Sequence, residues 1–150
     1  MIDKTKFYIN GAWIKPSKDN KFEVINPSNE IPYAIISLGC KTDVDKAVIA
    51  ARQSFLTWSQ VDKDSKVILL EKLLQIYINR WNEITETMSN EMGAPIDWSS
   101  SAQTSSGADH IKDFIKRLKD FEFEKEFNQE SNNYIAYEPI GVCALITPWN

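Results

Sequence analysis

The sequence has few of the residues that build covalent or metal-bound scaffolds. Its 150 residues include two cysteines, Cys40 and Cys143, and a single histidine, His110. Two distant cysteines argue against a disulfide-rich secreted scaffold and fit a reducing compartment, although one bridge between them stays open. Since His110 has no partner at metal-ligand spacing, we predict no metal site.

Long apolar runs and an excess of positive charge are also missing. The uncharged run 139–149 is shorter than the roughly 20 residues that cross a bilayer, and Asp3 falls where an export signal would be apolar. Lysine and arginine number 17 against 21 acidic residues, so the formal charge is −4. This charge gives no general attraction to nucleic acid. With 43% hydrophobic residues, we expect a globular, cytoplasmic chain without nucleic-acid or membrane partners.

Short strand patterns occupy the N-terminal part of the sequence. Alternating apolar residues over 7–14 surround Asn10-Gly11, a pair that favours the positive φ of a tight hairpin turn. Residues 22–25 form the next extended segment, and Pro27 stops it. A further strand is predicted over 33–38.

Helical periodicity dominates the middle of the sequence. Thr42 and Asp45 resemble a capping box, which predicts that a helix follows. A second helical pattern starts near Ser65, with a break predicted between 79 and 82, and ends at Gly93 before Pro95. A third helix is predicted over 99–117, in spite of Gly107. The first helix has apolar positions at helical spacing: Val44, Val48, Ala51, Phe55 and Trp58.

Residues 119–137 combine charge with exposed aromatic character. Alternation of Phe and Glu over 121–124 predicts an extended edge segment, which Tyr134–Tyr137 pairs with or continues. Such a strand needs a cover, and both a second subunit and another part of the same chain could supply it.

The apolar run 141–146 lies between Pro139 and Pro148. This pattern predicts a strand buried on both faces of a parallel sheet, with Cys143 as an inert core residue. Because a buried parallel strand needs neighbours and the sequence supplies none after it, we expect these residues to open a longer protein.

Six segments together resemble the NAD(P)-dependent aldehyde dehydrogenase family, in the same order along nearly the whole chain. The strongest is the terminal Pro148-Trp149-Asn150 motif after Glu138-Pro139-Ile140-Gly141-Val142. The segments are Ile9–Trp13, Asn26-Pro27, Ala47–Trp58, Glu91–Pro95, Glu138–Val142 and Ile146–Asn150.

The resemblance implies a fold and a division of the chain. The fold is α/β, the N-terminal part of an aldehyde dehydrogenase, with a Rossmann-like parallel sheet, a helical layer and an extended β arm for oligomerisation. Residues 1–118 would be the first part of the dinucleotide-binding domain and 119–137 the arm. Residues 138–150 would be the first core strand and the start of the catalytic loop.

The resemblance also implies an activity. An oxidoreductase of this family converts an aldehyde to a carboxylic acid with NAD or NADP, through a thiohemiacetal and a thioester on a cysteine. Asn150 matches the asparagine whose amide stabilises the oxyanion, a role suited to an uncharged donor. The family's nucleophilic cysteine and general-base glutamate match nothing here, so residues 1–150 alone are predicted to be inactive. The expected cofactor-binding residues are Ile146, Thr147, Pro148, Trp149 and Asn150.

Two alternatives remain open at this stage. An acylating or reductive aldehyde dehydrogenase would use the same scaffold and differ in the acceptor. A noncatalytic binding or assembly module would explain the missing nucleophile. The expected partners of the enzyme are a small aldehyde and further copies of the chain in a dimer or tetramer.

Overall fold

The computed structural model describes residues 1–127 and 133–147, which form short strands followed by a layer of helices. None of the helices in these ranges is both long and apolar enough to cross a membrane. The strands are β1 Ile2–Lys4, β2 Phe7–Ile9, β3 Ala12–Ile14, β4 Lys21–Asn26, β5 Ile31–Ser37, β6 Glu124–Glu126 and β7 Tyr134–Ala136. The α-helices are α1 Lys41–Trp58, α2 Lys63–Asn79, α3 Trp81–Met92, α4 Ile96–Trp98 and α5 Ser105–Asp120, and a π-helix spans Ser99–Thr104.

The N-terminal strands confirm three predictions and add one pairing. β2 and β3 form the predicted hairpin, with positive φ at Asn10 and Gly11. β4 pairs with β5 antiparallel, whereas β1 pairs with β5 parallel. The sequence did not predict β1, because its three residues Ile-Asp-Lys are too few for a periodic pattern.

The N-cap of helix α1 lies two residues before the predicted cap. Cys40 is the N-cap residue, and the carboxylate of Asp43 accepts a hydrogen bond from the Cys40 amide at 3.0 Å. The predicted capping pair of Thr42 and Asp45 is therefore wrong. Asp43 has a geometric advantage, because its side chain reaches back to the start of the first turn.

The break between α2 and α3 is confirmed at Arg80, whose φ of −100° and ψ of 17° leave the helical region. Gly93 ends α3 in the left-handed conformation, as predicted. An added Cβ at Gly93 would lie 3.0 Å from Cγ of Pro27. The side-chain amide of Asn26 also donates a hydrogen bond to the side-chain oxygen of Asn90 at 3.0 Å, and this bond holds the end of α3 against β4.

Helices α2 and α5 pack against each other. Val67, Ala108 and Ile115 are buried there. Beside them, the π-helix interrupts the predicted third helix and carries two fully buried polar residues, Ser99 and Thr104. The sequence predicted a continuous helix at this place, since a one-residue expansion leaves no mark in the apolar pattern.

An extended segment forms, but its strand β6 spans Glu124–Glu126 and so begins at the end of the predicted range 121–124. β6 pairs antiparallel with β7, so the partner strand beginning at Tyr134 is confirmed. Phe121 contacts Phe123 and Tyr137, with ring centroids 4.9 and 5.3 Å apart.

The predicted buried strand over 141–146 is wrong for the described residues. Residues 138–147 form no strand there, and the Leu145 and Ile146 side chains are 89% and 91% exposed. Cys143 is exposed too, so it is not an inert core residue. The apolar run is strand-like in composition, but it has no neighbouring strand within these ranges to supply ladder hydrogen bonds.

Candidate functional site

The residues predicted to bind cofactor or substrate lie at the C-terminal end of the chain. Ile146 and Thr147 are described, and both are exposed. Pro148, Trp149 and Asn150 lie outside the described residues. Their predicted roles therefore stay predictions.

The segment that leads to these residues runs along helix α1. Residues 140–144 and α1 enclose a groove of about 650 Å³. Its helical wall is formed by Val44, Ala47, Val48, Ala51 and Phe55. Four of these belong to the apolar face predicted from the sequence; Ala47 was not part of that prediction, and the predicted Trp58 does not line the groove. The φ of Gly141 is +114°, a conformation that side-chain-bearing residues rarely adopt, and the segment turns at this residue.

The lining of the groove is mostly apolar. Arg52 is the charged residue among those that line it, and Cys143 lines the opposite wall. The lining includes no histidine or carboxylate that could take a proton from the Cys143 thiol. In the described ranges, no three His, Cys, Asp or Glu residues are grouped to hold a metal ion.

Asp43 is the buried carboxylate nearest to this region. It is 4% exposed, and it accepts hydrogen bonds from the amides of Cys40 and Ser17, the latter at 2.8 Å. These bonds, with the Cys40 amide contributing most, hold the pKa of Asp43 far below its usual range. The group is therefore a fixed negative charge that joins the β3–β4 connection to α1, and it does not act as an acid or base near neutral pH.

A second polar cluster lies under the π-helix. The hydroxyls of Thr85 and Thr104 are 2.9 Å apart, and the Tyr77 hydroxyl donates to the Thr104 carbonyl at 3.1 Å. Burial raises the pKa of Tyr77. π-Helices often occur at functional sites, but here the buried hydroxyls bond to one another and to the backbone, which is a structural role.

Comparison with known proteins assigns this arrangement of helices and strands to one family. The model of the aldehyde dehydrogenase family matches residues 13–150. A 3-succinoylsemialdehyde-pyridine dehydrogenase from a Pseudomonas species is 38% identical over the whole chain. The chain spans 31% of that relative's length, or about a third.

Two solved structures show the same fold. An aldehyde dehydrogenase from Bartonella henselae superposes with a TM-score of 0.86 at 43% identity, over 88% of this chain and 28% of that one. Aldehyde dehydrogenase C from Pseudomonas syringae, crystallised as a mutant with NAD+ and octanal, gives a TM-score of 0.80 at 31% identity. That match covers 83% of this chain and 26% of the other.

Proposed function

Because the chain belongs to the aldehyde dehydrogenase family, we propose that the whole protein oxidises an aldehyde to a carboxylic acid with NAD or NADP. The observation that carries the proposal is the family match over 13–150, which runs through the segment that leads to Asn150. The α/β fold expected from the sequence is that of the N-terminal part of this family. NAD+ and octanal are bound in one relative, and they represent the cofactor and substrate classes that we propose here.

The described end of the chain fits a dinucleotide in one respect. Residues 142–147 are exposed and form no strand, so their backbone amides and carbonyls are free of ladder hydrogen bonds. Ile146 and Thr147 would hold the cofactor through backbone groups and the Ile146 side chain, together with Pro148 and Trp149. When bound, NAD or NADP supplies the hydride acceptor.

We assign the oxyanion-stabilising role to Asn150. Its side-chain amide has two uncharged donors, which can stabilise the negative charge on the aldehyde oxygen without a change in its own protonation. The attacking thiolate would come from a cysteine of the whole protein outside residues 1–150, and neither Cys40 nor Cys143 is assigned that role.

The experiment is steady-state kinetics of the whole protein with octanal and NAD+ or NADP+. Asn150→Ala is expected to lower kcat by about 10² to 10³, the usual cost of one oxyanion donor. Asn79→Ala, an exposed asparagine on α2, is the matched control and keeps full activity. An unchanged kcat in Asn150→Ala would contradict the assignment, and no aldehyde oxidation by the native protein with any aldehyde would contradict the proposed function.

Residues 119–137 are proposed as an arm that packs on a second copy of the chain. The aromatic cluster of Phe121, Phe123 and Tyr137 is 40 to 45% exposed, and the β6–β7 sheet has two open edges within the described residues. A second copy would cover both features.

Sedimentation velocity of the whole protein tests the arm. Phe121→Ser with Phe123→Ser is expected to shift a dimer or tetramer towards the monomer. Phe114→Ser, an exposed phenylalanine on α5, is the control. An unchanged oligomer in the double variant would exclude the arm as the contact.

Because Cys40 and Cys143 are both free in the structure, we also propose that the protein works in the reducing cytoplasm.

A further inference from the structure

The N-terminal 21 residues carry a charge opposite to that of the whole chain. They contain five lysines and two aspartates, whereas the chain has a net charge of −4. Three of these lysines, Lys6, Lys15 and Lys21, line one cleft of about 360 Å³. We call it the basic cleft, and its floor includes Ser37.

The topology places this cleft at the end of a parallel strand pair. β1 and β5 run parallel, with Lys4 paired to Ile36, so both strands end beside the cleft, and α1 starts four residues after Ser37. β4 begins at the same place, because Lys21 pairs with Ser37. Ligands of α/β proteins commonly bind at the carboxyl ends of parallel strands.

Ser37 supplies an observation that is independent of the lysines. Its side chain is 8% exposed, and its hydroxyl oxygen has no hydrogen-bond partner in the part of the chain that the structure describes. Leaving a buried hydroxyl unpaired costs free energy, and most such groups in proteins are satisfied. An unpaired hydroxyl in a cleft that three lysines line is therefore a donor without its acceptor.

The acidic groups near the cleft leave a positive balance. Asp3 accepts two hydrogen bonds from Thr5, from the amide at 3.0 Å and the hydroxyl at 2.7 Å. Asp19 lies 3.7 Å from the ammonium of Lys21 and is mostly exposed. Two carboxylates thus face three ammonium groups. The N-terminus of α1 adds nothing, because the carboxylate of Asp43 already occupies it.

We propose that the basic cleft binds a small oxyanion of the phosphate class, as free phosphate or as the phosphoryl group of a metabolite. Lys6, Lys15 and Lys21 bind its oxygens, and the Ser37 hydroxyl donates to it from below. A tetrahedral oxyanion can present a separate oxygen to most of these four donors, whereas a carboxylate would have to accept from all four on two oxygens. The site is separate from the segment 146–150 and does not depend on the proposed oxidation of aldehydes.

The test is thermal unfolding and calorimetry of the full chain with inorganic phosphate, compared with chloride at the same ionic strength. Phosphate is expected to raise the Tm, because a ligand that binds only the folded state stabilises it. Lys15→Met is expected to weaken phosphate binding about tenfold. Lys18→Met removes the same charge from the same connection without lining the cleft, and it keeps the native affinity.

Ser37→Ala gives a second test, because the expected difference in Tm between this variant and the native protein depends on whether phosphate is present. Without phosphate the variant is expected to unfold at a higher temperature than the native protein, because the unpaired hydroxyl is gone. At saturating phosphate this advantage is lost, because the variant binds the anion more weakly. Equal phosphate responses of the native protein, Ser37→Ala and Lys15→Met would overturn the proposal, as would an effect of phosphate no larger than that of chloride. Titration with a phosphate monoester such as glycerol phosphate separates the two sources: tighter binding than free phosphate identifies a metabolite.

Discussion

Gly107 lies where helix α5 approaches α2 most closely. An added Cβ there would overlap the hydroxyl oxygen of Tyr77 and lie 2.8 Å from Cζ of its ring. The sequence alone makes this glycine a small cost within a helix, of about 1 kcal/mol relative to alanine. The structure explains the glycine, since the Tyr77 hydroxyl reaches the Thr104 carbonyl across this position.

We therefore expect Gly107→Ala to destabilise the protein although it raises helix propensity. Overpacking of this kind costs about 1 to 3 kcal/mol, which urea unfolding of the full chain measures. Ser106→Ala, at an exposed neighbouring position of the same helix, is the control. Tyr77→Phe should restore part of the loss in the double variant, because the two residues are in direct contact. A gain in stability for Gly107→Ala would show that the two helices do not approach so closely.

Asp43 shows how one carboxylate replaces a predicted motif. Its two oxygens accept from Ser17 and Cys40, and its pKa is held far below the usual range. A group with a lowered folded pKa stabilises the protein fully above its unfolded pKa, which is about 4 for aspartate. That stabilisation is lost as the pH falls through the folded pKa.

Asp43→Asn is expected to lower the Tm at neutral pH, and the gap to the native protein should narrow as the pH falls below about 4. Thermal unfolding between neutral and acid pH measures both effects. Asp45→Asn is the control, because Asp45 pairs with Lys41 on the exposed surface at 2.7 Å, and such pairs contribute little. A Tm gap for Asp43→Asn that stays constant with pH would contradict the role of the charge.

At the scale of elements, the helices followed from the sequence more closely than the strands did. Helices α2 and α3, the break at Arg80 and the end at Gly93 are local features, set by apolar spacing and by residues within one turn. The parallel pairing of β1 with β5 joins residues about 30 positions apart, and no local pattern in Ile2–Lys4 predicts it. The prediction of a buried strand over 141–146 was wrong for the same reason, because apolar composition does not specify which strand would pair with it.

The same distinction between local patterns and distant contacts applies to the residues of the candidate site. The apolar wall of the groove was predictable, since Val44, Val48, Ala51 and Phe55 follow the helical period. Asn150 and its neighbours came from the family motif and not from periodicity. The basic cleft was not predicted, because Lys6, Lys21 and Ser37 come together only where β1 and β5 end and β4 begins.

Lys63 of α2 forms hydrogen bonds with the backbone at the C-terminal end of α5, next to the proposed arm. Its ammonium donates to the carbonyls of Lys119 at 2.9 Å and Phe121 at 3.3 Å. Cations near the last carbonyls of a helix stabilise its C-terminus. Glu71, on the same helix, adds a contact of 2.7 Å to the ammonium of Lys119.

Lys63→Met is expected to loosen the start of the arm. Hydrogen exchange of the backbone amides over 119–123 should become faster, with a small loss of global stability, because the contacts are exposed. Lys72→Met on the same helix is the control, and Lys63→Arg should restore most of the protection. Unchanged exchange over 119–123 in Lys63→Met would mean that the arm is held by its own aromatic cluster instead.

At the scale of the whole molecule, the described residues bury little apolar surface. Four apolar residues are buried there, Ala34, Val67, Ala108 and Ile115. Helix α2 shows the imbalance: Val67 packs towards α5, while Leu69, Leu73 and Ile76 form a second stripe that is about half exposed. A helix that is apolar on both sides needs a cover on both sides. The chain spans about a third of the length of its curated relatives. We propose that the remaining part of a whole aldehyde dehydrogenase covers this stripe.

Residues 1–150 expressed alone should therefore bind a hydrophobic dye such as anilinonaphthalene sulfonate, whereas the whole protein should bind much less. The exposed apolar stripe of α2 and the segment 140–147 are the expected binding surfaces. The isolated chain should also form no NADH from octanal, because an oxyanion donor without its nucleophile stabilises no covalent intermediate. Dye fluorescence and the absorbance of NADH measure the two outcomes in one preparation.

Leu69→Gln with Leu73→Gln should reduce dye binding by the isolated chain and destabilise the whole protein, because the same stripe is exposed in one and covered in the other. Equal dye binding by residues 1–150 alone and by the whole protein would mean that the stripe stays exposed to solvent in the whole protein, which would contradict the proposed cover.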